Sequence, residues 1–109
     1  MIETLLGSTN AERVLLFLLA RDEGYATQIA DFFDTDLYGI QKQLDKLESG
    51  GVLASSTAGR TRIYRFSPRY AFLKELQALL RKALESYPAD EQDRLLIVRR
   101  RPRRRGKPL

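Results

Sequence analysis

The sequence contains neither cysteine nor histidine. Without cysteine, the chain can form no disulfide, no thiolate metal site and no cysteine nucleophile. Without histidine, it lacks the commonest general base and the commonest metal ligand of proteins. Its serine and threonine hydroxyls have no basic side chain of suitable strength beside them, and it has no glycine-rich phosphate loop. We therefore expect a protein that is not an enzyme and that holds no metal and no cofactor.

Long apolar stretches are also missing from the sequence. The longest, residues 14–20, is far shorter than the roughly 20 residues that a membrane-spanning helix requires. The opening Met1-Ile2-Glu3 lacks the positive charge of a secretory signal. We therefore expect a cytoplasmic protein that does not bind membranes. A length of 109 residues allows one small domain with one core.

The net charge of +5 is unevenly distributed along the chain. Residues 1–98 hold 12 Lys and Arg against 14 Asp and Glu, whereas residues 99–107 hold seven positive charges and no negative one. A block of like charges repels itself and cannot bury a core, so this tail is predicted to be disordered. We predict a folded domain over residues 1–87, followed by a linker and basic tail over residues 88–109.

Residues 11–21 predict a first helix whose apolar side chains point in every direction. A helix that is apolar all round is buried on more than one side. In so short a chain, a second copy of the protein is one source of the second covering surface, and burial within a single chain is the alternative. The first interpretation places Leu15 and Leu18 at a dimer interface.

Residues 26–33 and 37–49 predict two further helices. The first of them buries apolar side chains at the i, i+3, i+4 spacing, and the second follows Asp36 as a capping residue. Gly50-Gly51 ends the second helix, because glycine adopts the left-handed closing conformation without steric cost. The apolar stripe of this helix consists of Leu37, Ile40, Leu44 and Leu47.

A β-hairpin is predicted next, with strands at residues 52–56 and 61–67 around a turn at residues 57–60. The second strand alternates outward Arg62 and Arg65 with apolar residues, although the alternation is imperfect. Two helices followed by such a hairpin predict a helix-turn-helix with a β-hairpin wing.

A long final helix is predicted from the Ser67-Pro68 cap to about Ser86. Its apolar residues recur at the three-four spacing of a paired helix, so one flank can close the core while the other packs against a second copy. The predicted seam consists of Leu73, Leu76, Leu80, Ala83 and Tyr87. Residues 94–98 fit either a helix or a strand.

Several segments in a fixed order carry a family resemblance. They are Leu6-Gly7-Ser8, then Tyr25-Ala26-Thr27-Gln28-Ile29-Ala30, then Ile40, Leu44, Leu47-Glu48 and Gly50-Gly51-Val52-Leu53, and last Gly59-Arg60, Arg62, Tyr64, Phe66 and Pro68. This set resembles the ArsR-type winged helix-turn-helix family of prokaryotic transcription regulators. It is also similar to winged-helix modules fused to, or encoded beside, nucleotidyltransferase-like domains. The resemblance implies a mainly α fold with a small β-hairpin and a dimeric DNA-binding protein.

The helix at residues 37–49 has the width of a DNA major groove and carries hydrogen-bond donors on its exposed face. Gln41 can form two hydrogen bonds with adenine, and Lys42 can reach guanine or a phosphate. Gly39 leaves room for close backbone approach, whereas Asp45 is a counter-signal because a carboxylate repels phosphates. The predicted DNA contacts of this helix are Tyr38, Gly39, Gln41, Lys42 and Lys46. An ordinary solvated helix face explains any one of them, taken alone, equally well.

The wing and the tail supply the other predicted contacts. Arg60 and Arg62 at the hairpin tip suit the DNA backbone or an adjacent minor groove, with ordinary surface charge as the alternative. Residues 105–108 are similar to the Arg-Gly-Arg-Pro core of AT-hook peptides, but a generic basic arm fits better. RNA is a competing partner, because arginine-rich disordered arms also fold onto RNA. The predicted tail contacts are Arg103, Arg104, Arg105 and Lys107.

The leading hypothesis is a sequence-specific, double-stranded DNA-binding transcription regulator that acts as a homodimer. The alternative is a winged-helix protein-interaction module, for example a partner of a nucleotidyltransferase-like protein, with only nonspecific affinity for nucleic acids. A preference for one DNA sequence over random duplex would favour the regulator. Tight binding to a protein partner, with salt-labile and nonspecific DNA affinity, would favour the module.

Overall fold

A computed structural model of the protein describes residues 1–97 and shows a mainly helical chain with one antiparallel hairpin. In chain order, the elements are α1 Glu3–Leu6, α2 Thr9–Arg21, α3 Ala26–Phe32, α4 Leu37–Ser49, β1 Leu53–Ala58, β2 Thr61–Phe66, α5 Leu73–Glu85 and α6 Ala89–Ile97. This architecture confirms the predicted fold class. The disorder predicted for the tail falls on residues 98–109, which lie outside the described residues.

Helix α2 lies at the centre of the molecule. Val14, Leu15, Leu16, Phe17 and Leu18 are each at most 2% exposed. The other helices contact α2, and so does β2. The all-round apolar pattern therefore predicts burial correctly, and one chain supplies the whole cover. The sequence pattern alone had suggested a second copy as part of this cover, but burial of Leu15 and Leu18 does not require one.

Helices α3 and α4 form the predicted helix-turn-helix. Ile40 and Leu44 of α4 are fully buried, and Leu47 is partly buried against the same core. Leu37 is 44% exposed, which corrects its predicted place on the buried stripe. Because Leu37 is the first residue of α4, it lies beyond the edge of the core. Asp36 occupies the capping position as predicted, but its side chain accepts no hydrogen bond from the helix.

The wing is a two-stranded antiparallel sheet in which Leu53 pairs with Phe66 and Ala58 pairs with Thr61. Its turn is shorter than predicted, because β1 continues to Ala58 and leaves only Gly59 and Arg60 between the strands. Gly59 has a φ of +66°. A glycine with positive φ at the first turn position is typical of tight two-residue hairpins.

Tyr64 joins the wing to the core. It is only 1% exposed, and its backbone exchanges hydrogen bonds of 2.8 and 3.1 Å with Gly24 in the loop before α3. Gly24 also lies against the buried ring of Phe17. A Cβ on residue 24 would lie 2.7 Å from that ring, so the close packing of this loop on Phe17 requires glycine. Because strand side chains alternate between the two faces, Arg62 shares the face of Tyr64 and Arg65 lies on the other. The two arginines therefore do not form one outward row, as the sequence pattern had suggested.

The last helices differ from the prediction in their bounds. Helix α5 begins at Leu73, about a turn later than the Ser67-Pro68 signal indicates. Ser67 instead stabilises a turn, in which its side chain accepts a hydrogen bond of 3.3 Å from the amide of Arg69. The ambiguous segment after residue 93 is helical as far as Ile97.

Helix α6 packs on α2 and belongs to the folded unit. Leu95 is 3% exposed within the core, and its carbonyl accepts a hydrogen bond of 2.7 Å from Arg21 Nε. The described part of the predicted linker is thus largely a packed helix. Within residues 1–97, no helix is long and apolar enough to cross a membrane.

Candidate nucleic-acid interface

One side of α4 faces solvent and carries three of the five residues of this helix that are predicted to contact DNA. Tyr38 is 72% exposed, and Lys42 and Lys46 are also exposed. Within residues 1–97, neither lysine forms an ion pair with a carboxylate. The structure therefore brings these three side chains together as a face with two uncompensated positive charges.

Gln41 lies on the side of α4 that faces the wing. Its Nε2 donates one hydrogen bond of 3.0 Å to Asp45 Oδ1 and another of 3.2 Å to the hydroxyl of Tyr64. Asp45 is one helical turn along α4, whereas Tyr64 lies on β2 with its ring buried in the core. The side chain of Gln41 is therefore held by a helix and a strand at once.

Arg62 connects the wing to the other end of the same helix. Its Nη2 lies 3.0 Å from Glu48 Oε1, and its Nε donates a hydrogen bond of 3.0 Å to Ser55 Oγ. Ser55 in turn donates a hydrogen bond of 2.6 Å to Glu48. The hydrogen bond and the negative charge of Glu48 raise the pKa of Arg62 above its ordinary value. Arg62 thus links the wing to the last turn of α4, and its contact with DNA stays a prediction.

The other wing arginines differ in their surroundings. Arg60 lies in the exposed turn and has no ion-pair partner among residues 1–97. Arg65 pairs with Glu23 at 3.0 Å and donates a hydrogen bond of 3.2 Å to Ser56. Arg60 is therefore the wing arginine whose charge is available to an approaching phosphate.

Gly39 faces another helix of the chain. A Cβ placed on it would lie 2.5 Å from the side-chain nitrogen of Asn10 on α2. A side chain at position 39 would therefore displace the side chain of Asn10 on α2. Contact of Gly39 with DNA stays a prediction.

The residues predicted at a dimer interface fall into two groups. Leu15, Leu18, Leu80 and Ala83 are each at most 4% exposed within one chain. Leu73, Leu76 and Tyr87 are only partly buried. Phe72, just before α5, is 64% exposed. Among these residues, the ones on α5 that one chain leaves partly exposed are Leu73 and Leu76, at the start and along one flank of the helix. The predicted tail contacts, Arg103, Arg104, Arg105 and Lys107, lie outside the described residues.

Glu12 on α2 was not among the site residues predicted from the sequence. It is 3% exposed, and its carboxylate accepts hydrogen bonds from the Met1 amine at 2.9 Å and from the hydroxyl of Tyr87. It lines a cavity of about 420 Å³ whose walls include Phe32, Phe33 and Arg94. Burial, and then the hydrogen bond to Glu12, raise the pKa of Tyr87 well above its ordinary value.

Sequence reasoning missed three residues of the interface. Tyr64 was assigned only as an apolar strand residue, Glu48 only as part of a motif, and Asp45 only as a counter-signal. The i, i+4 spacing of Gln41 and Asp45 on one helix was a readable signal for their hydrogen bond. The contacts of Tyr64 and Glu48 with the opposite element depend on the packing of the wing, which no local pattern encodes.

The comparisons with known proteins bear on the fold. No protein-family model matches the chain, and no curated protein matches it either. The chain is similar to a homodimeric winged helix-turn-helix DNA-binding domain from Mycobacterium bovis, described as a possible ArsR-family transcriptional regulator. The identity is 23% and the TM-score 0.57, over 79% of this chain and 77% of that one.

Two further solved structures show the same architecture. One is a mutant of ZitR from Lactococcus lactis in its apo form, with 22% identity and a TM-score of 0.55 over 78% of this chain and 73% of that one. The other is AntR, an antimony-specific transcriptional repressor, with 20% identity and a TM-score of 0.55 over 84% of this chain and 79% of that one. At this level of identity, the likeness establishes the fold: the chain is a winged helix-turn-helix.

Proposed function

We propose that the protein is a double-stranded DNA-binding transcription regulator that inserts α4 into the major groove. The observation that carries this proposal is the exposed face of α4, where Tyr38, Lys42 and Lys46 lie beside a wing anchored to the same helix. A helix fits the major groove of B-DNA, and lysine can bond a base edge or a phosphate there. The interface can thus present donors to bases and cations to the backbone.

The structural neighbours support the same function. The domain from Mycobacterium bovis is described as a homodimeric DNA-binding domain, and AntR is described as a transcriptional repressor. The architecture they share with this chain extends over about four fifths of its length. A role in DNA binding and transcription regulation is therefore the function that best fits this fold together with the charged face of α4.

The wing and the tail extend the proposed contacts. Arg60 at the turn is exposed and unpaired within residues 1–97, so it can approach a phosphate or the minor groove next to α4. Arg103, Arg104, Arg105 and Lys107 supply a basic arm for nonspecific backbone contacts. Arg62 acts indirectly, because its bond with Glu48 helps to hold the hairpin that carries Arg60.

We also propose that the regulator is a homodimer held by α5. Phe72 is 64% exposed, and Leu73, Leu76 and Leu79 are only partly buried by their own chain. Pairing of this flank with the same flank of a second copy would cover it by a two-fold interface, which is the commonest symmetry of protein dimers. Two copies of α4 could then occupy major grooves about 34 Å apart, one helical turn along the DNA.

The test of DNA recognition is selection of bound duplexes from a random pool, followed by footprinting and affinity measurement. We expect one enriched sequence with two half-sites about 10 base pairs apart. The full-length chain should bind it at least about 1,000-fold more tightly than a random duplex, as specific regulators do. Equal affinity for all duplexes would contradict the proposal. Tight capture of a protein partner by such a chain would favour an interaction module instead.

The dimer is tested by placing charge on the proposed interface. The double variant Phe72→Asp and Leu73→Asp should sediment as a monomer, because two carboxylates would have to be buried unpaired in the dimer. Leu5→Asp is the control for an added surface carboxylate, since Leu5 is 68% exposed on α1 and outside the proposed interface. Wild-type protein that sediments as a monomer at about 50 µM, in the range where specific homodimers with Kd near 1 µM are largely associated, would contradict the proposal.

A further inference from the structure

The hydrogen bonds of Gln41 decide which of its atoms can meet a base. A carboxylate accepts hydrogen bonds and cannot donate them. The Gln41 atom that lies 3.0 Å from Asp45 Oδ1 must therefore be the amide nitrogen. The orientation of the Gln41 amide thus follows from the chemistry of its partner.

Both hydrogens of the Gln41 amide nitrogen are in use. One bonds Asp45, and the other bonds the hydroxyl of Tyr64, whose ring is 1% exposed and fixed by the core. Within residues 1–97, Gln41 Oε1 accepts no hydrogen bond. Gln41 therefore offers an acceptor and withholds its donors.

This acceptor lies in an accessible place. Gln41, Asp45 and Tyr64 line an open concavity of about 360 Å³ between α4 and the wing, together with Tyr25 and Arg60. Asp45 is exposed, and its carboxylate has further lone pairs beyond the one that accepts from Gln41. Two adjacent side chains thus present acceptor oxygens to a group that enters between helix and wing.

We propose that Gln41 and Asp45 read the exocyclic amine of cytosine, and that Tyr64 is the positioning residue that makes Gln41 an acceptor. The inference rests on the proposed insertion of α4 into the major groove. There, cytosine presents its amine as a donor, whereas guanine and thymine present acceptors, which would face acceptor oxygens. Adenine presents both an amine and an acceptor nitrogen, so its two-bond contact with glutamine requires an amide hydrogen that is not free here.

A glutamine in a recognition helix is ordinarily expected to contact adenine, whereas Gln41 is proposed to contact cytosine. The expected order of the four bases at one operator position is cytosine, then adenine, then guanine and thymine. Removal of the Tyr64 hydroxyl frees one hydrogen of the Gln41 amide. That change should move the preference at the same position from cytosine towards adenine, without any change in the residue that contacts the base.

The experiment compares full-length wild type with Tyr64→Phe, Gln41→Ala and Tyr25→Phe on duplexes selected by the wild type. Each duplex carries one of the four base pairs at each position in turn. Tyr25→Phe is the matched control, because it removes a phenolic hydroxyl from the same concavity while Gln41 keeps its bonds to Asp45 and Tyr64. Thermal unfolding verifies that each variant is folded.

We expect wild type and Tyr25→Phe to favour cytosine at one position by about tenfold over guanine and thymine. Tyr64→Phe should raise the affinity for adenine relative to cytosine by about tenfold at that position alone. Gln41→Ala should reduce the preference there. A selected site with no cytosine preference, or a base profile that Tyr64→Phe leaves unchanged, overturns this inference and leaves DNA recognition by α4 intact.

A second readout needs no DNA. In the nuclear magnetic resonance spectrum of the free protein, the side-chain amide hydrogens of Gln41 should exchange slowly with water. Tyr64→Phe should shift this resonance and speed its exchange, whereas Tyr25→Phe should not. A Gln41 amide that is the same in all three proteins overturns the positioning role of Tyr64. Wild-type protein that prefers no duplex over random DNA overturns the proposed function and this inference together.

Discussion

Helices α2 and α4 have the same length of 13 residues but opposite relations to the rest of the chain. Seven residues of α2 are buried, against two of α4. Helix α2 is enclosed by other elements of its own chain, whereas α4 packs along one stripe and leaves Tyr38 and Lys42 in solvent. The first helix therefore holds the fold together, and the second keeps one side exposed to solvent.

The polar contacts around α2 and those around α4 also differ. Around α2, Arg21 fastens α6 to the core through the carbonyl of Leu95. Around α4, Tyr64 and Arg62 act on Gln41 and Glu48, which lie at the edge of the exposed face. Polar bonds on α2 join elements of the core, while those on α4 hold side chains at the edge of its exposed face. Substitutions in the two regions should therefore affect different measurements.

The largest expected effect on stability comes from an aromatic residue in α2. Phe17 is fully buried and meets the ring of Phe32 edge-on at a centroid distance of 5.5 Å. Phe17→Ala should lower the free energy of unfolding by about 3–5 kcal/mol, because it removes buried apolar surface and leaves a cavity. Tyr38→Ala, on the exposed face of α4, should stay within about 0.5 kcal/mol of wild type. Urea unfolding of both variants measures the two changes in the free energy of unfolding. Equal destabilisation of the two variants would contradict the proposed difference between α2 and α4.

Deletion of residues 99–109 should have the largest effect on DNA affinity. It removes seven positive charges and should weaken binding to all duplexes alike. The slope of log affinity against log salt concentration should flatten by about 0.9 for each phosphate that the shortened chain no longer neutralises. Titrations of a selected and a random duplex at several salt concentrations measure both effects. A selective loss on A·T-rich sites would instead indicate an AT-hook-like contact in the minor groove.

Removal of the lysines on α4 should have a smaller and more selective effect. The double variant Lys42→Ala and Lys46→Ala should weaken binding to the selected duplex and flatten its salt slope by about 1.8, if both lysines contact phosphates. Stability should be nearly unchanged, because both side chains are exposed. Lys74→Ala is the control, because it also removes one positive charge from an exposed position, on α5. If Lys74→Ala weakens binding as much per lysine as the α4 variant does, the loss of affinity reflects the lower net charge of the protein and not a contact made by α4.

The smallest expected effect concerns the anchor between wing and helix. Glu48→Gln removes the charge that holds Arg62, and exposed ion pairs contribute only about 0–1 kcal/mol to stability. The variant should nevertheless lower the preference for the selected duplex, because the hairpin that carries Arg60 loses its fixed position. Glu23→Gln is the matched control, since it releases Arg65 on the opposite face of the wing. The same loss of preference in both variants would show that the α4 anchor has no special role.

Much of the architecture follows from local patterns in the chain. The i, i+3, i+4 spacing predicts α3 and α4 within a residue of their observed bounds. The glycine pair predicts the end of α4, and the alternation after residue 60 predicts the second strand of the wing. These features could be predicted because helix periodicity, capping and turn chemistry depend on residues that are close in sequence.

The start of α5 and the exposure of Leu37 could not be predicted in the same way. Ser67-Pro68 is a sound helix-start signal, yet the residues after it form a turn that leads the chain from the wing to α5. Leu37 fits the apolar stripe by spacing, but it is the first residue of α4 and lies past the edge of the core. In both cases, the position of a neighbouring element overrides the local preference.

The sequence by itself determined the order of α2 to α5 with the wing between α4 and α5, the absence of thiol and imidazole chemistry, and the separation of a basic tail from a nearly neutral domain. Those properties depend on composition and on short-range spacing. The tertiary structure alone decided that one chain can cover α2, that Arg62 is paired while Arg60 has no ion-pair partner within residues 1–97, and that Tyr64 holds the Gln41 amide. Hydrogen bonds such as the one from Gln41 to Tyr64 join residues 23 positions apart. Their geometry exists only once the hydrophobic core has brought helix and wing together.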